Sequence, residues 1–242
     1  HNELIGAGGR SFLETLAQNT TLADLNLERV NLNSNGMISV LCTALQSNTT
    51  LKSLNLSCNG ITCRAVNLTD VLKTRTTLTR LYLAGNPLGQ TSIENDCRVF
   101  MRNLCDIPNL EYLNLKGCRF DFDTGPEIAH LIAANTTLQT LELKDAIGLE
   151  PYIDMIFGAL IVNTTLQRLG LPALDREPPI PDAMYYNTTL RLVTFDGTAH
   201  DSLSLITERN CHNEIMKTRT LVHFLLLPRT WRVTRRPRSP VY

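Results

Sequence analysis

Five copies of one tetrapeptide set the frame for this chain. NTTL spans Asn19 to Leu22 and returns unchanged at Asn48 to Leu51, Asn135 to Leu138, Asn163 to Leu166 and Asn187 to Leu190. Degenerate copies run from Thr74 to Leu78, Ile107 to Leu110 and Thr218 to Leu221, so the closing leucines stand 24 to 32 residues apart. Self-similarity at a period between about 20 and 50 residues marks a solenoid or a propeller.

The rest of the unit decides between them. LADLNL, LKSLNL, LTRLYL, LEYLNL, LQTLEL and LQRLGL follow the first six anchors, and LRLVTF and LVHFLL are worn versions at Leu190 and Leu221. Apolar residues alternating with others predict a short strand buried on one face. The other half of the unit is helical. SVLCTALQSN sets Val40, Leu41, Ala44 and Leu45 on one helix face, and Ile128, Leu131 and Ile132, then Ile153, Ile156, Phe157 and Leu160, repeat that spacing. Gly8 or Gly9 opens a first helix carrying Phe12, Leu13 and Leu16.

Three residues beyond each LxxLxL the chain holds Asn59, Asn86 and Cys118, but Val30, Ala146, Leu174 and Thr198 in the other units. The motif LxxLxL followed by Asn or Cys, with a helix in each unit and a period near 28 residues, resembles the ribonuclease-inhibitor-like type of leucine-rich repeat over residues 2 to 227. The resemblance implies an α/β solenoid shaped as a horseshoe, with about eight repeats, a parallel concave β-sheet and convex helices. One repeat domain is expected over 1–227, starting inside a repeat and read as a fragment of a longer protein. A basic Arg/Pro-rich tail at 228–242 follows.

NTTL is also the acceptor pattern for N-linked sugar, and Asn55 and Asn67 open two further acceptor triplets. Its fixed phase argues for a structural role: the helix stops and the next strand begins. Asn is expected in the left-handed geometry common just past a helix end, the threonines favour extended backbone, and the leucine enters the core. A buried Asn would bar a glycan.

Two units break the period. LGQTSIENDCRV reads as an insertion before a helix, and Pro178, Pro179 and Pro181 predict an extended or one-turn connection, because proline cannot sit inside an ordinary helix.

No phosphate-cradling, metalloprotease or nucleophile-elbow motif is present, and His130, His200, His212 and His223 fall in different repeats. The chain is therefore expected to be non-enzymatic and to need no cofactor or metal. Its seven cysteines are an odd number, and Cys42, Cys97, Cys105 and Cys118 fall at core positions. They read as thiols of a reducing compartment rather than a disulfide framework, which favours the cytoplasm. No stretch approaches the roughly 18 apolar residues of a membrane span.

Basic and acidic residues balance at 23 each, but five arginines stand in the tail, leaving 23 − 5 = 18 against 23 acidic residues before it. Arg232, Arg235 and Arg236 are candidate contacts for an acidic partner, against the plainer reading of a solvated tail. Nucleic acid is the disfavoured partner. The favoured one is a protein held by a monomeric module on the residues that point out of the sheet: Asn26, Asn55, Arg80, Tyr82, Tyr112, Asn114, Lys116, Glu142, Lys144 and Arg168. Tyrosine and arginine are enriched at interface hot spots, and both lie at the centre. The resemblance offers two alternatives, a GTPase activator of the Ran type and the ligand-sensing end of an intracellular immune receptor. The activator is typically followed by a long acidic tail, whereas this chain ends in arginines.

Overall fold

Leucine at the middle of each three-residue strand organises the molecule. The computed structural model describes residues 6–89, 94–121, 124–173, 187–195 and 198–199. In chain order these form α1 (Gly6–Gln18), β1 (Asp24–Asn26), α2 (Met37–Ser47), β2 (Ser53–Asn55), α3 (Val66–Leu72), β3 (Arg80–Tyr82), α4 (Glu94–Cys105), β4 (Tyr112–Asn114) and α5 (Thr124–Ala134). Then come β5 (Thr140–Glu142), a 3-10 turn (Glu150–Tyr152), α6 (Ile153–Val162), β6 (Arg168–Leu171), β7 (Leu192–Phe195) and β8 (Thr198–Ala199). The strands lie side by side in sequence order. β1 to β7 are parallel, and β8 turns back antiparallel to β7.

Parallel neighbours need a long crossover between them, and a helix supplies it from β1 through β6. The register aligns Leu25, Leu54, Leu81, Leu113, Leu141, Leu169 and Val193 in one column. Leu54, Leu81, Leu113 and Leu141 are each 0% exposed, as the strand phase requires. Leu27, Leu56, Leu83, Leu115, Leu143 and Leu171, two residues further along each unit, are likewise buried. Each helix from α1 to α6 packs on its neighbours in sequence, and the core fills the space between helices and sheet.

At the exits of β1 to β5 the chain has a residue of positive φ: Arg29 (57°), Cys58 (55°), Gly85 (65°), Gly117 (63°) and Asp145 (55°). Just past it the buried Asn59 and Asn86 replace backbone partners. Asn59 Nδ2 donates to the Leu27 carbonyl of the preceding unit (2.7 Å) and to the Leu56 carbonyl of its own (3.0 Å). Its Oδ1 accepts the Val30 and Leu32 amides at 3.1 and 3.2 Å. Asn86 repeats this one unit on. Cys118 takes the same place one unit further on, its thiol donating to the Leu83 carbonyl at 3.2 Å and facing the backbone of Gly85 and Asn86.

The NTTL asparagines depart from expectation. Asn48 and Asn163 follow α2 and α6 with φ −73°, ψ 125° and φ −74°, ψ 132°, extended rather than left-handed backbone. The reason is that the side chain closes the turn. Asn48 Oδ1 accepts the amides of Thr50 and Leu51 (both 3.1 Å), while its Nδ2 donates back to the Leu16 and Asn19 carbonyls (both 3.0 Å). Asn135, Asn163 and Asn187 make equivalent bonds, and all four are buried. The second threonine adds a rung to the previous unit: Thr50, Thr77 and Thr137 Oγ1 donate to the Leu22, Leu51 and Leu110 carbonyls at 2.9 to 3.0 Å.

The helices add three details. The segment read as an insertion before a helix is itself helix from Glu94 onward. Helix α5, which carries Ile128, Leu131 and Ile132, starts at Thr124, where Asp121 and Thr124 exchange backbone-to-side-chain bonds at 3.2 and 2.8 Å that cap it. Phe12 is 45% exposed beside the buried Leu13 and Leu16. The proline-rich connection, the unit at Leu221, the tail, Cys211 and the three later histidines lie outside the described residues.

Candidate functional site

The residues flanking each strand leucine form two register rows on the open face of the sheet, where Gly170 alone among the described ones is buried. The first runs Asp24, Ser53, Arg80, Tyr112, Thr140, Arg168 and Leu192; the second runs Asn26, Asn55, Tyr82, Asn114, Glu142, Gly170 and Thr194. Arg80 is therefore directly beside Tyr112, and Tyr82 beside Asn114. The two tyrosines meet on the diagonal, ring centroids 5.0 Å apart and tilted by 42°, within the range in which aromatic pairs attract. Both are half-buried. Burial pushes the Tyr112 phenol above its ordinary pKa, with Glu142 and Tyr82 adding to the effect and a hydrogen bond with Asn114 opposing it.

The three asparagines of the face have backbone work to do. Oδ1 of Asn26, Asn55 and Asn114 accepts the amides of Glu28, Ser57 and Lys116 at 2.9 to 3.0 Å, closing the end of the strand each belongs to. Asn55 Nδ2 further donates to Glu28 Oε2 at 3.3 Å. The lysines are drawn to acids: Lys116 Nζ lies 3.2 Å from Asp145 Oδ2, and Lys144 Nζ 3.8 Å from Glu142 Oε2. The latter pair leans over Gly170, where an added Cβ would collide with Glu142 Oε2.

Of the residues expected at the site, the fold gathers Arg80, Tyr82, Tyr112 and Asn114 into one patch. It draws Lys116 toward the strand exit, and spreads Asn26 and Asn55 toward one side and Arg168 toward the other. Arg232, Arg235 and Arg236 lie outside the described residues. Sequence reasoning missed Asp145. Its signal was available, since it occupies the same position in its unit as Gly85 and Gly117.

Away from the sheet, the buried Glu127 of α5 takes Arg98 (3.2 Å) and Arg102 (3.4 Å) from α4. Asn103 of α4 donates to Thr69 and Asp70 of α3, both at 3.1 Å. These contacts tie neighbouring helices together. Among the described residues no group of three or more His, Cys, Asp and Glu side chains is placed to hold a metal. No described helix is long and apolar enough to cross a membrane.

Two family models match the chain: one described as Leucine Rich repeat covers residues 47–62, and one described as Leucine Rich Repeat covers 109–131. Each match holds an LxxLxL strand that the structure places in the parallel sheet. The fold is a leucine-rich-repeat solenoid. Similar solved structures include the tropomodulin C-terminal domain of Caenorhabditis elegans, at 15% identity and a TM-score of 0.45, covering 62% of this chain and 89% of that one. Leiomodin-1 actin-binding site 2 is similar at 14% identity and a TM-score of 0.32, covering 91% of this chain and 99% of that one. No curated protein sequence matches the chain. The assignment of the solenoid thus rests on its repeats and register rather than on these distant likenesses.

Proposed function

We propose that this solenoid is a non-enzymatic protein-interaction module that takes its partner on the solvent face of the sheet, centred on Arg80, Tyr82, Tyr112 and Asn114. The Tyr82–Tyr112 pair carries the reading. Two half-buried rings in contact offer a broad, stiff apolar surface at little entropic cost, the kind of anchor from which interfaces draw most of their energy. Neither ring belongs to the buried core. Helices of ten to thirteen residues in most units support the ribonuclease-inhibitor-like subtype. The module acts as a monomer over 1–227, with 228–242 a separate basic tail.

Residence in the cytoplasm is part of the same proposal. Its support is that Asn48, Asn135, Asn163 and Asn187 each use Nδ2, the atom a glycan would occupy, to bond a carbonyl of the preceding unit.

The test is affinity capture on the intact chain, with each captured protein then measured against single variants. Tyr82→Ala or Tyr112→Ala should weaken a true ligand by about 1 kcal/mol or more while leaving the unfolding midpoint nearly in place. A ligand indifferent to both tyrosines but lost when Arg232, Arg235 and Arg236 are replaced moves the function to the tail and refutes this reading.

A further inference from the structure

The charges around the tyrosine pair are unevenly satisfied, and that unevenness points to the chemistry of the partner. Lys116 is matched by Asp145, Lys144 by Glu142, and Glu28 by Arg29 at 3.7 Å. Arg80 and Arg168 are exposed and have no ion pair among the described residues. Both stand in the first row, at its β3 and β6 positions, with Tyr112 and Thr140 between them. Three strand-to-strand steps of about 4.8 Å put the two arginine Cα positions roughly 14 Å apart.

We infer that the partner presents an extended acidic segment, laid across the strands along this row, with carboxylates on Arg80 and Arg168 and an aromatic side chain on the tyrosine pair between them. The inference rests on the sheet face being the docking surface. An extended chain rises about 3.3 Å per residue, so carboxylates about four positions apart span the two guanidiniums. Each guanidinium can hold a carboxylate through two parallel hydrogen bonds, and a ring between the acids arrives over Tyr112, with Tyr82 beside it. Nucleic acid fits the row less well. Its unbroken phosphate charge would meet Asp24 and Glu28 on one side and Glu142 within the face, whereas an acidic segment can place its charges only where the arginines are.

Selection of a phage-displayed random dodecapeptide library on the intact chain tests this directly. The expected winners carry Asp or Glu at two positions about four apart with an aromatic residue between, and they bind at least about tenfold more weakly to Arg80→Glu and Arg168→Glu. Selection repeated on the Arg80→Glu/Arg168→Glu double variant should return basic peptides instead, an inversion that a merely misfolded protein would not produce. Winners that lose binding on Tyr82→Ala yet show no acidic preference overturn the inference and leave the docking face standing. Winners indifferent to tyrosines and arginines alike overturn both. No enrichment at all, or tighter binding to a thymidine oligonucleotide than to any selected peptide, also overturns the acidic segment.

Discussion

Asn163 suspends its own turn from the helix of the preceding unit: its Nδ2 donates to the Ile132 carbonyl at 2.7 Å while its Oδ1 accepts the Leu166 amide, also at 2.7 Å. Alanine here would strand the Thr165 and Leu166 amides and the Ile132 carbonyl. Each buried unmade bond costs about 1–3 kcal/mol, so Asn163→Ala should lower stability by about 2–4 kcal/mol in urea unfolding. Asn19→Ala, at the half-exposed first copy, should cost clearly less because water replaces the lost amide. Equal losses at both sites would contradict this account.

The leucine column makes a second prediction. Leu113 is 0% exposed and sits between Leu81 and Leu141. Truncation to alanine should cost about 2–5 kcal/mol, and an unmoved chemical midpoint would mean that the column does not carry the core.

The left-handed position at the strand exit separates residues that suit it from residues that endure it. Arg29 adopts φ 57°, a conformation costing a side chain with a Cβ about 1–2 kcal/mol. Its 3.7 Å pairing with Glu28 is 60% exposed on the arginine side and offsets little of that. Arg29→Gly should therefore raise stability by about 1 kcal/mol. Gly85→Ala should do the reverse, since the added methyl would sit 2.8 Å from Cys58 Sγ at φ +65°. Calorimetric melting of the two variants should shift in opposite directions.

Cys118 predicts a response to alkali. Burial pushes its thiol up to about 12 from 9.0. A folded pKa raised above the unfolded one gives stability that is whole below about pH 9 and is lost as pH climbs toward 12. Cys118→Asn, which installs the side chain that the two preceding units carry as Asn59 and Asn86, should flatten the part of that alkaline loss due to this site. Denaturant midpoints at pH 8 and pH 10.5 for both proteins measure it, and identical slopes would assign the loss elsewhere.

A secretory route offers a direct check on the asparagine rungs. Fused to a secretion leader in a glycosylating host, the chain should acquire sugar on NTTL sites before folding and then fail to reach a protease-resistant state. The glycan and the carbonyl of the preceding unit require the same Nδ2. A secreted, folded product carrying sugar on Asn135 or Asn163 would contradict the cytoplasmic proposal.

The strand leucines could be read in advance because the LxxLxL spacing survives from β1 through β6, and the same spacing in each unit brings equal positions into register. That same register made the meeting of Tyr82 and Tyr112 legible. The conformation of the NTTL asparagine was not. Sequence shows that the residue stands at a helix end, but left-handed backbone and a side-chain-closed turn both suit Asn there, and only the approaching Leu16, Ile132 or Leu160 carbonyl decides. The start of α4 was hidden for another reason. Its opening residues Glu94, Asn95 and Asp96 are polar, and polar residues in a first turn look like loop. The pairing of Lys116 with Asp145 joins two strand exits from neighbouring units, a contact that no periodicity within one unit announces.

The rungs made by Asn48, Asn135, Asn163 and Asn187 also say how the molecule would bear a load. They bond adjacent units across the stacking direction, as do the short parallel strands. Tension applied at opposite ends of the stack would therefore meet one interface at a time, peeling a strand, its threonine rung and its asparagine rung together before the next interface felt the force. Because each unit leans only on its neighbours, such a body yields in steps of one repeat, paying out about 28 residues of slack with each.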